Sequence, residues 1–535
     1  MKSKIVALMK LRLFLFLLAL VAIAGSMQSC SNDREPERPN IIFIMSDDHA
    51  YQAMSCYDGS LNTTPNIDRI AKEGVLFMNS YVTNSICAPS RAVLLTGKYS
   101  HMNGHFTNGH KFDGSQLTFP KVLQEAGYET ALIGKWHLKS EPQSFDYWNV
   151  LPGQGHYYNP DFIEMGEKKR HTGYVTTLTT DFALDYLQNL RDPAKPFCLL
   201  LHHKAPHGNW KPEEKYLHLF DDVQIDPPDN FFDNYETRGS AARQQEMDVA
   251  NHMYWGRYVK LSVNPESGDS TGFAQQLKRF NEEQLAAWNA SYDPKNAALF
   301  EAGLRGDELT LWKFERLMKD YLRCVQSVDD GVGRVLDYLE ESGLDENTIV
   351  IYTSDQGVFL GEHGWFDKRF MYEESHRMPL VMKYPGKIAA GSVNENMVLN
   401  LDFAPTFIDY AGAAIPEEIQ GESMRPLLEN EKNIEWRDAV YYHYFEFPSI
   451  HMVKRHYGVR TKRYKLIHFY HDVDEWELYD MEEDPSEMNN IFGKPGSEKI
   501  TEELTGKLYE LKNAYGDTPE LEELHMPMKN QVTEK

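Results

Sequence analysis

From Asn40 to Met45 the chain runs Asn-Ile-Ile-Phe-Ile-Met and then stops abruptly at Ser46-Asp47-Asp48-His49. An apolar run with no alternating polar face predicts a strand covered on both sides, as in a parallel sheet. Thr64-Pro65, followed by Ile67, Ile70 and Ala71 and closed by Gly74, predicts a short helix with proline in its first turn. Val75–Val82 reads as the next strand, Thr118–Ala126 as a helix closed by Gly127, and Thr130–Ile133 as the strand after it. Phe197–Leu201 is a strand ending at His202-His203, Thr348–Thr353 one ending at Ser354-Asp355, and Pro379–Met382 a further one. Leu311–Glu341 keeps apolar residues at helical spacing and predicts a long amphipathic helix. Strands alternating with helices predict an α/β domain with a doubly wound, mostly parallel sheet. Such sheets place their sites beyond the carboxyl ends of the strands, where this chain puts its polar residues.

Two segments depart from that rhythm. Residues from Trp210 to about Asp307 are rich in Asp, Asn, Gln and aromatics with little strand pattern, and read as an insertion near the strand ends, suited to a substrate-facing lid. From about Pro416 the pattern becomes that of short antiparallel strands, Ala439–Phe445, Tyr457–Arg460, Tyr464–Phe469 and Glu475–Asp480, with a charged helix over Ser497–Tyr515. A catalytic domain over 38–415 and a smaller C-terminal subdomain over 416–535 are therefore expected.

At the start, Lys2, Lys4, Lys10 and Arg12 precede an apolar stretch from Leu13 to Ala24, too short for a comfortable membrane span. Ser26-Met27-Gln28-Ser29-Cys30 then resembles a bacterial lipobox, and 31–37 a polar tether. The expectation is a signal peptide over 1–30, lipidation of Cys30, and a periplasmic or surface lipoprotein touching the membrane only through its lipid. The alternative is a cleaved signal peptide with an incidental cysteine.

Composition narrows the function classes. The 535 residues are 41% hydrophobic and 25% charged, which excludes a mostly disordered or multi-span membrane protein. With 55 Lys+Arg against 80 Asp+Glu the net charge is −25, which argues against a general nucleic-acid binder but not against an anion held in a locally positive pocket. Five cysteines are too few for a disulfide scaffold, so each needs its own explanation.

Cys87-Ala88-Pro89-Ser90-Arg91 opens the most informative segment, which runs on to Leu95-Thr96-Gly97-Lys98. Pro89 suits the first helical position and would set Cys87 at the positive end of a helix, favouring a thiolate or an anion-binding nucleophile. Read alone, Cys87 is also compatible with a structural cysteine at a helix entrance. Asp47 and Asp48 end one strand, and Asp355 and Gln356 another; four oxygen-bearing side chains at strand ends suit a hard divalent cation such as calcium.

The pattern Cys-x-Pro-Ser-Arg followed by Leu-Thr-Gly resembles the signature of the type I sulfatases of the alkaline phosphatase superfamily. The resemblance implies that a formylglycine-generating maturation enzyme oxidises Cys87 to 3-oxoalanine, whose hydrate is the nucleophile. It places Asp47, Asp48, Asp355, Gln356 and the modified Cys87 at a calcium site, with Gln356 standing where asparagine is commoner. Gly134-Lys135-Trp136-His137 matches a family segment in which Lys135 binds sulfate and His137 polarises a diol hydroxyl. His207 of His202-His203-Lys204-Ala205-Pro206-His207 matches the histidine that protonates the leaving oxygen, Lys368 the second sulfate-binding lysine, and Arg91 the residue orienting the diol.

Segments Gly153–Phe162 and Ser354–Ser375 look like those of bacterial N-acetylglucosamine-6-sulfatases. That likeness implies exo-acting 6-O-desulfation of a glycosaminoglycan or mucin glycan, with Asp367 and Arg369 gripping sugar hydroxyls and His443, His451 and His456 in reach of the pocket. The alternatives are a phosphonate monoester hydrolase or phosphodiesterase of the same superfamily, a sulfatase for another sugar position, and a non-catalytic glycan-binding lipoprotein.

Overall fold

The computed structural model describes residues 5–10, 38–519 and 521; Cys30, its tether and most of the expected signal peptide lie outside the described residues. Residues 5–10 form a short helical segment, and the chain from Pro39 onward is a separate compact unit.

The expected strands are present. In chain order they are β1 Asn40–Ser46, β2 Val75–Tyr81, β3 Glu129–Lys135, β4 Tyr147–Leu151, β5 Asp161–Glu164, β6 Glu167–Arg170, β7 Phe197–His202, β8 Thr348–Ser354, the two-residue β9 Phe359–Leu360 and β10 Phe366–Asp367, β11 Leu380–Lys383 and β12 Ser392–Leu399. Ten of them form one sheet in the order β12-β2-β11-β8-β1-β7-β3-β4-β5-β6. β1 lies between β8 and β7, parallel to both, and β7 is parallel to β3. β11 runs antiparallel to β8 and β2, and β5 and β6 close the far edge as antiparallel strands, so the sheet is mixed but mostly parallel.

Burial explains the unbroken apolar run. Ile42 and Ile44 face one core with the helix Gly306–Ser342, while Ile41, Phe43 and Met45 face another with the helix Phe403–Tyr410. Each such side chain, fully buried, contributes roughly 1.5–3 kcal/mol. The 210–307 insertion contains an unforeseen helix, Glu282–Ala302, capped by the reciprocal pair Asn281 and Gln284. A stretch of the insertion is tied by backbone to β10 and the turn before it: Phe366 N–H donates to Met247 O at 3.0 Å and Val249 N–H to Gly364 O at 2.8 Å.

Toward the C-terminus, β13 Ala439–Tyr444, β14 His456–Thr461, β15 Tyr464–Phe469 and β16 Glu475–Asp480 form a four-stranded antiparallel sheet, with the helix Glu498–Ala514 packed against it.

Candidate active site

Adjacent parallel strands deliver their ends to one place. The ladder continues past β1: His203 N–H donates to Met45 O at 2.8 Å, Asp355 N–H to Ser46 O at 3.2 Å, and Asp47 N–H to Ala205 O at 3.3 Å. Asp47 and Asp48 thus emerge between the 203–207 segment and Asp355. Gly134 sets the end of β3: at φ +105° a Cβ there would lie 1.9 Å from His202 O, so no side chain fits and the strands close up to present Lys135.

The helix Cys87–Thr96 begins at Cys87 itself, with Ile86 as its extended N-cap, so Pro89 is the third helical residue rather than the first. Its missing N–H is still harmless, because the first turn has no internal acceptors. The helix points at the strand ends. Arg91 donates to Asp355 through Nε at 3.1 Å and Nη2 at 2.9 Å, and through Nη1 to Lys135 O at 2.8 Å. Ser90 Oγ donates to Asp355 O at 2.5 Å. One guanidinium therefore fixes the ends of β3 and β8 relative to the helix.

Oxygens of Asp47, Asp48 and Asp355, all buried, lie within 4.8 Å of one another. Burial alone would raise the Asp47 carboxyl, but Lys135, with His207 and Arg91, holds it well below the usual carboxylate range. Asp48 is raised by burial despite Lys368, and Asp355 is pushed up to about 8 by burial and the charge of Asp47. Three carboxylates this close do not all ionise without added positive charge. Gln356 Nε2 faces these carboxylates and lies 3.7 Å from Cys87 Sγ, while Gln356 Oε1 and Asp47 Oδ1 are buried without a hydrogen-bond partner. A half-turn of the amide would present Oε1 instead, an arrangement that only a cation between the oxygens makes favourable. The donor set is all hard oxygen, and these residues fit a metal ion.

Around this cluster, Lys135 bonds Asp47 Oδ2, Lys368 Nζ lies 2.6 Å from Asp48 Oδ2, and His207 Nε2 is 3.8 Å from the same oxygen. His137 follows at φ +59°, its Nδ1 buried without a partner. Burial and Lys135 push His137 far down, and burial does the same to His207, so both rings are neutral near pH 7. Asp48, Asp367 and Arg369 also have positive φ, of 67°, 79° and 114°. Non-glycine residues held there cost about 1–3 kcal/mol each and concentrate at functional sites.

The Cys87 thiol is raised well above its ordinary value by burial and by Asp47. The thiol as it stands is a poor nucleophile.

Asp367 lies against Lys368 at 3.1 Å and accepts from His451 Nε2 at 2.8 Å. Arg369 is buried, and its guanidinium is held by Glu446 at 2.6 Å and Tyr444 at 3.2 Å. His443 commits its two nitrogens to Asp517 and Tyr470 at 2.6 Å each, and His456 commits its own to Lys454 O and Met371 N–H. Both serve packing of the C-terminal sheet; of the three histidines only His451 contacts Asp367. Lys204, not singled out in the sequence, sits over the Tyr157 ring at 4.7 Å beside His207. Its signal was its place in the His202–His207 run, between the strand-end histidines and His207.

Comparison with known proteins places this geometry. Residues 39–413 match the sulfatase family model, and residues 361–514 match the model for the C-terminal region of N-sulphoglucosamine sulphohydrolase. An N-acetylglucosamine-6-O-sulfatase of Bacteroides thetaiotaomicron is 50% identical, over 97% of this chain and 94% of its own length. An ulvan-active sulfatase of Formosa agariphila is 27% identical, over 93% of this chain and 86% of that protein. A solved structure in complex with its substrate D-glucosamine-2-N,6-O-disulfate superposes with TM-score 0.87 at 51% identity, covering 90% of this chain and 99% of that one. The chain belongs to the sulfatase family of the alkaline phosphatase superfamily and is a sulfuric ester hydrolase.

Proposed function

We propose that the enzyme removes the 6-O-sulfate of a glucosamine residue, N-acetylated or otherwise N-substituted, from the end of a glycosaminoglycan or mucin glycan. The observation that carries this reading is Lys368, whose ammonium joins the buried acid cluster at Asp48 to the sugar-facing side at Asp367. The sulfated sugars acted on by the half-identical relatives support the choice of position.

Cys87 Sγ marks where the formylglycine oxygens would stand. Once formed by a maturation enzyme, the hydrated aldehyde would supply the attacking hydroxyl and a second hydroxyl able to expel sulfate. Calcium held by Asp47, Asp48, Asp355, Gln356 and residue 87 would supply positive charge opposite the nucleophile and the sulfuryl oxygens. The chain's own residues do the rest. Arg91 keeps Asp355 and the end of β3 in register with residue 87. Lys135 and Lys368 offer fixed positive charge where the transition state gains negative charge. His137, neutral in its dry setting, accepts a hydrogen bond from a diol hydroxyl. His207 acquires a proton as the anionic sulfate enters beside it and delivers that proton to the leaving sugar oxygen, typically worth ~10²–10⁴-fold. Asp367, aligned by His451, accepts a sugar hydroxyl, and Arg369 backs it from the Glu446 side.

Assay of sulfate release from 2-, 3-, 4- and 6-O-sulfated monosaccharides tests the reading: release confined to the 6-O-sulfate supports it, and release from another position contradicts it. We further propose anchoring through a lipid on Cys30, at the periplasmic face or cell surface, motivated by the Lys2–Cys30 pattern. Palmitate labelling that survives Cys30→Ser contradicts this.

A further inference from the structure

Lys204, beside His207, and Lys211, which feels Lys204, are buried lysines with no carboxylate ion pair. Lys204 is 4% exposed and Lys211 7%. Lys204 lies over the Tyr157 ring, and the Tyr157 hydroxyl donates to His207 O at 2.8 Å. Lys211 Nζ has only amide oxygens, Asn209 Oδ1 at 3.0 Å and Gln276 Oε1 at 3.3 Å. Among the described residues no carboxylate pairs with either. Other buried lysines hold a carboxylate: Lys135 holds Asp47, Lys260 holds Asp320, Lys368 holds Asp48, and Lys383 holds Asp345. Lys313 and Lys454 hold none, but each lies over an aromatic ring away from His207. An unpaired buried charge is costly, and a chain of net charge −25 has carboxylates to spare for pairing.

The nearest carboxylates that Lys204 feels, Asp47 and Asp48, are already held by Lys135 and Lys368. Burial and the charge of Lys135 depress Lys204 to about 8; burial, Lys260 and Lys204 depress Lys211 to about 7. His156, in the Gly153–Phe162 segment that resembles glucosamine sulfatases, feels Arg279 and both lysines and is exposed, so the cluster opens to solvent there. A recess in which the lysines outnumber the carboxylates left free to pair with them attracts an external anion.

We propose that Lys204 and Lys211 form a second anion subsite, taking an acidic substituent of the glycan other than the sulfate being removed. The inference rests on the reading of His207 as the residue facing the leaving oxygen, because whatever lies beyond His207 is then on the sugar side. The ligand chemistry is a second sulfate or a carboxylate, supplied by an N-sulfate on the same sugar or by a neighbouring uronate.

Calorimetric binding to the full-length Cys87→Ala protein tests this without turnover. The probes are N-acetylglucosamine-6-sulfate, glucosamine-2-N,6-O-disulfate, and a disaccharide of 6-sulfated N-acetylglucosamine linked to a uronate. The second or third binds more tightly than the first, and which one identifies the source of the anion. Adding Lys204→Met or Lys211→Met erases that preference, a change of about 10- to 100-fold for a charge-assisted contact. Equal affinity for all three probes overturns the proposal. So does a preference that survives both lysine changes, or an equal loss on all three probes with a lowered thermal midpoint, which marks a structural lysine. Sulfate release by the unmutated enzyme tests the desulfation reading separately.

Discussion

Lys368 Nζ lies 2.6 Å from Asp48 Oδ2 and 3.1 Å from Asp367 Oδ1, so one ammonium joins the acid cluster at the strand ends to the pocket wall. Burial opposes its charge, but Asp367 and Asp48 hold it protonated well above the ordinary lysine range. In the proposed mechanism it is a permanent cation beside the sulfate being transferred.

Lys368→Ala should therefore lower kcat by about 10²–10³-fold, the usual cost of one preorganised transition-state contact. Steady-state kinetics on a 6-sulfated sugar reads this. A change confined to KM would mean that Lys368 binds substrate and transition state equally.

His207→Ala should discriminate by leaving group. A nitrophenolate departs without help, whereas a sugar alkoxide needs the proton, so the sugar ester should lose ~10²–10⁴-fold and the aryl ester far less. Equal losses would remove the acid role.

Much of this site was legible from strand ends and one motif. Asp47, Asp48, Lys135 and Asp355 each follow or close an apolar run, and parallel pairing of β8, β1, β7 and β3 brings such ends together as a matter of topology. The far-edge strands β5 and β6 carried too few apolar residues to signal themselves, β6 being Glu-Lys-Lys-Arg, and β4 is apolar but only five residues long. The helix Glu282–Ala302 was hidden by weak amphipathicity, although Asn281 and Gln284 at capping-box spacing announced it. The thiol's raised pKa depended on burial and on Asp47 and Asp48, which arrive from a distant segment. Arg369 meets Glu446 across 77 residues, a pairing no local pattern encodes. Lys204 and Lys211 are notable for partners they lack, which only packing reveals.

Chelation should act on stability as well as rate. Without a cation, Asp47, Asp48 and Asp355 repel one another at the ends of β1 and β8. Calcium at 100 times its dissociation constant would stabilise the fold by about 2.7 kcal/mol. The thermal midpoint should fall on EDTA treatment and return with calcium, and Gln356→Ala should weaken that return. A midpoint indifferent to EDTA and calcium contradicts the metal assignment.

The end of the described chain offers a pH test outside the pocket. Asp517, buried, accepts from His443 at 2.6 Å and Tyr441 at 2.5 Å. Burial opposes its charge, but His443 holds its carboxyl well below the usual range. A depressed acid adds stability above its unfolded pKa of about 3.9, and that contribution is lost as pH falls below it toward the folded value. Asp517→Asn should cost about 3–5 kcal/mol at neutral pH, and its deficit should shrink steadily below about pH 4. A deficit that stays constant from pH 7 to about pH 3 would show that the carboxylate's charge is irrelevant.

Catalysis requires residue 87 to be an aldehyde rather than a thiol. Mass spectrometry of the peptide carrying Cys87, from active protein made alongside a maturation enzyme, is the most direct measurement. It should show that residue about 18 Da lighter than cysteine, with activity proportional to the converted fraction. Full activity with an unconverted thiol would contradict the account.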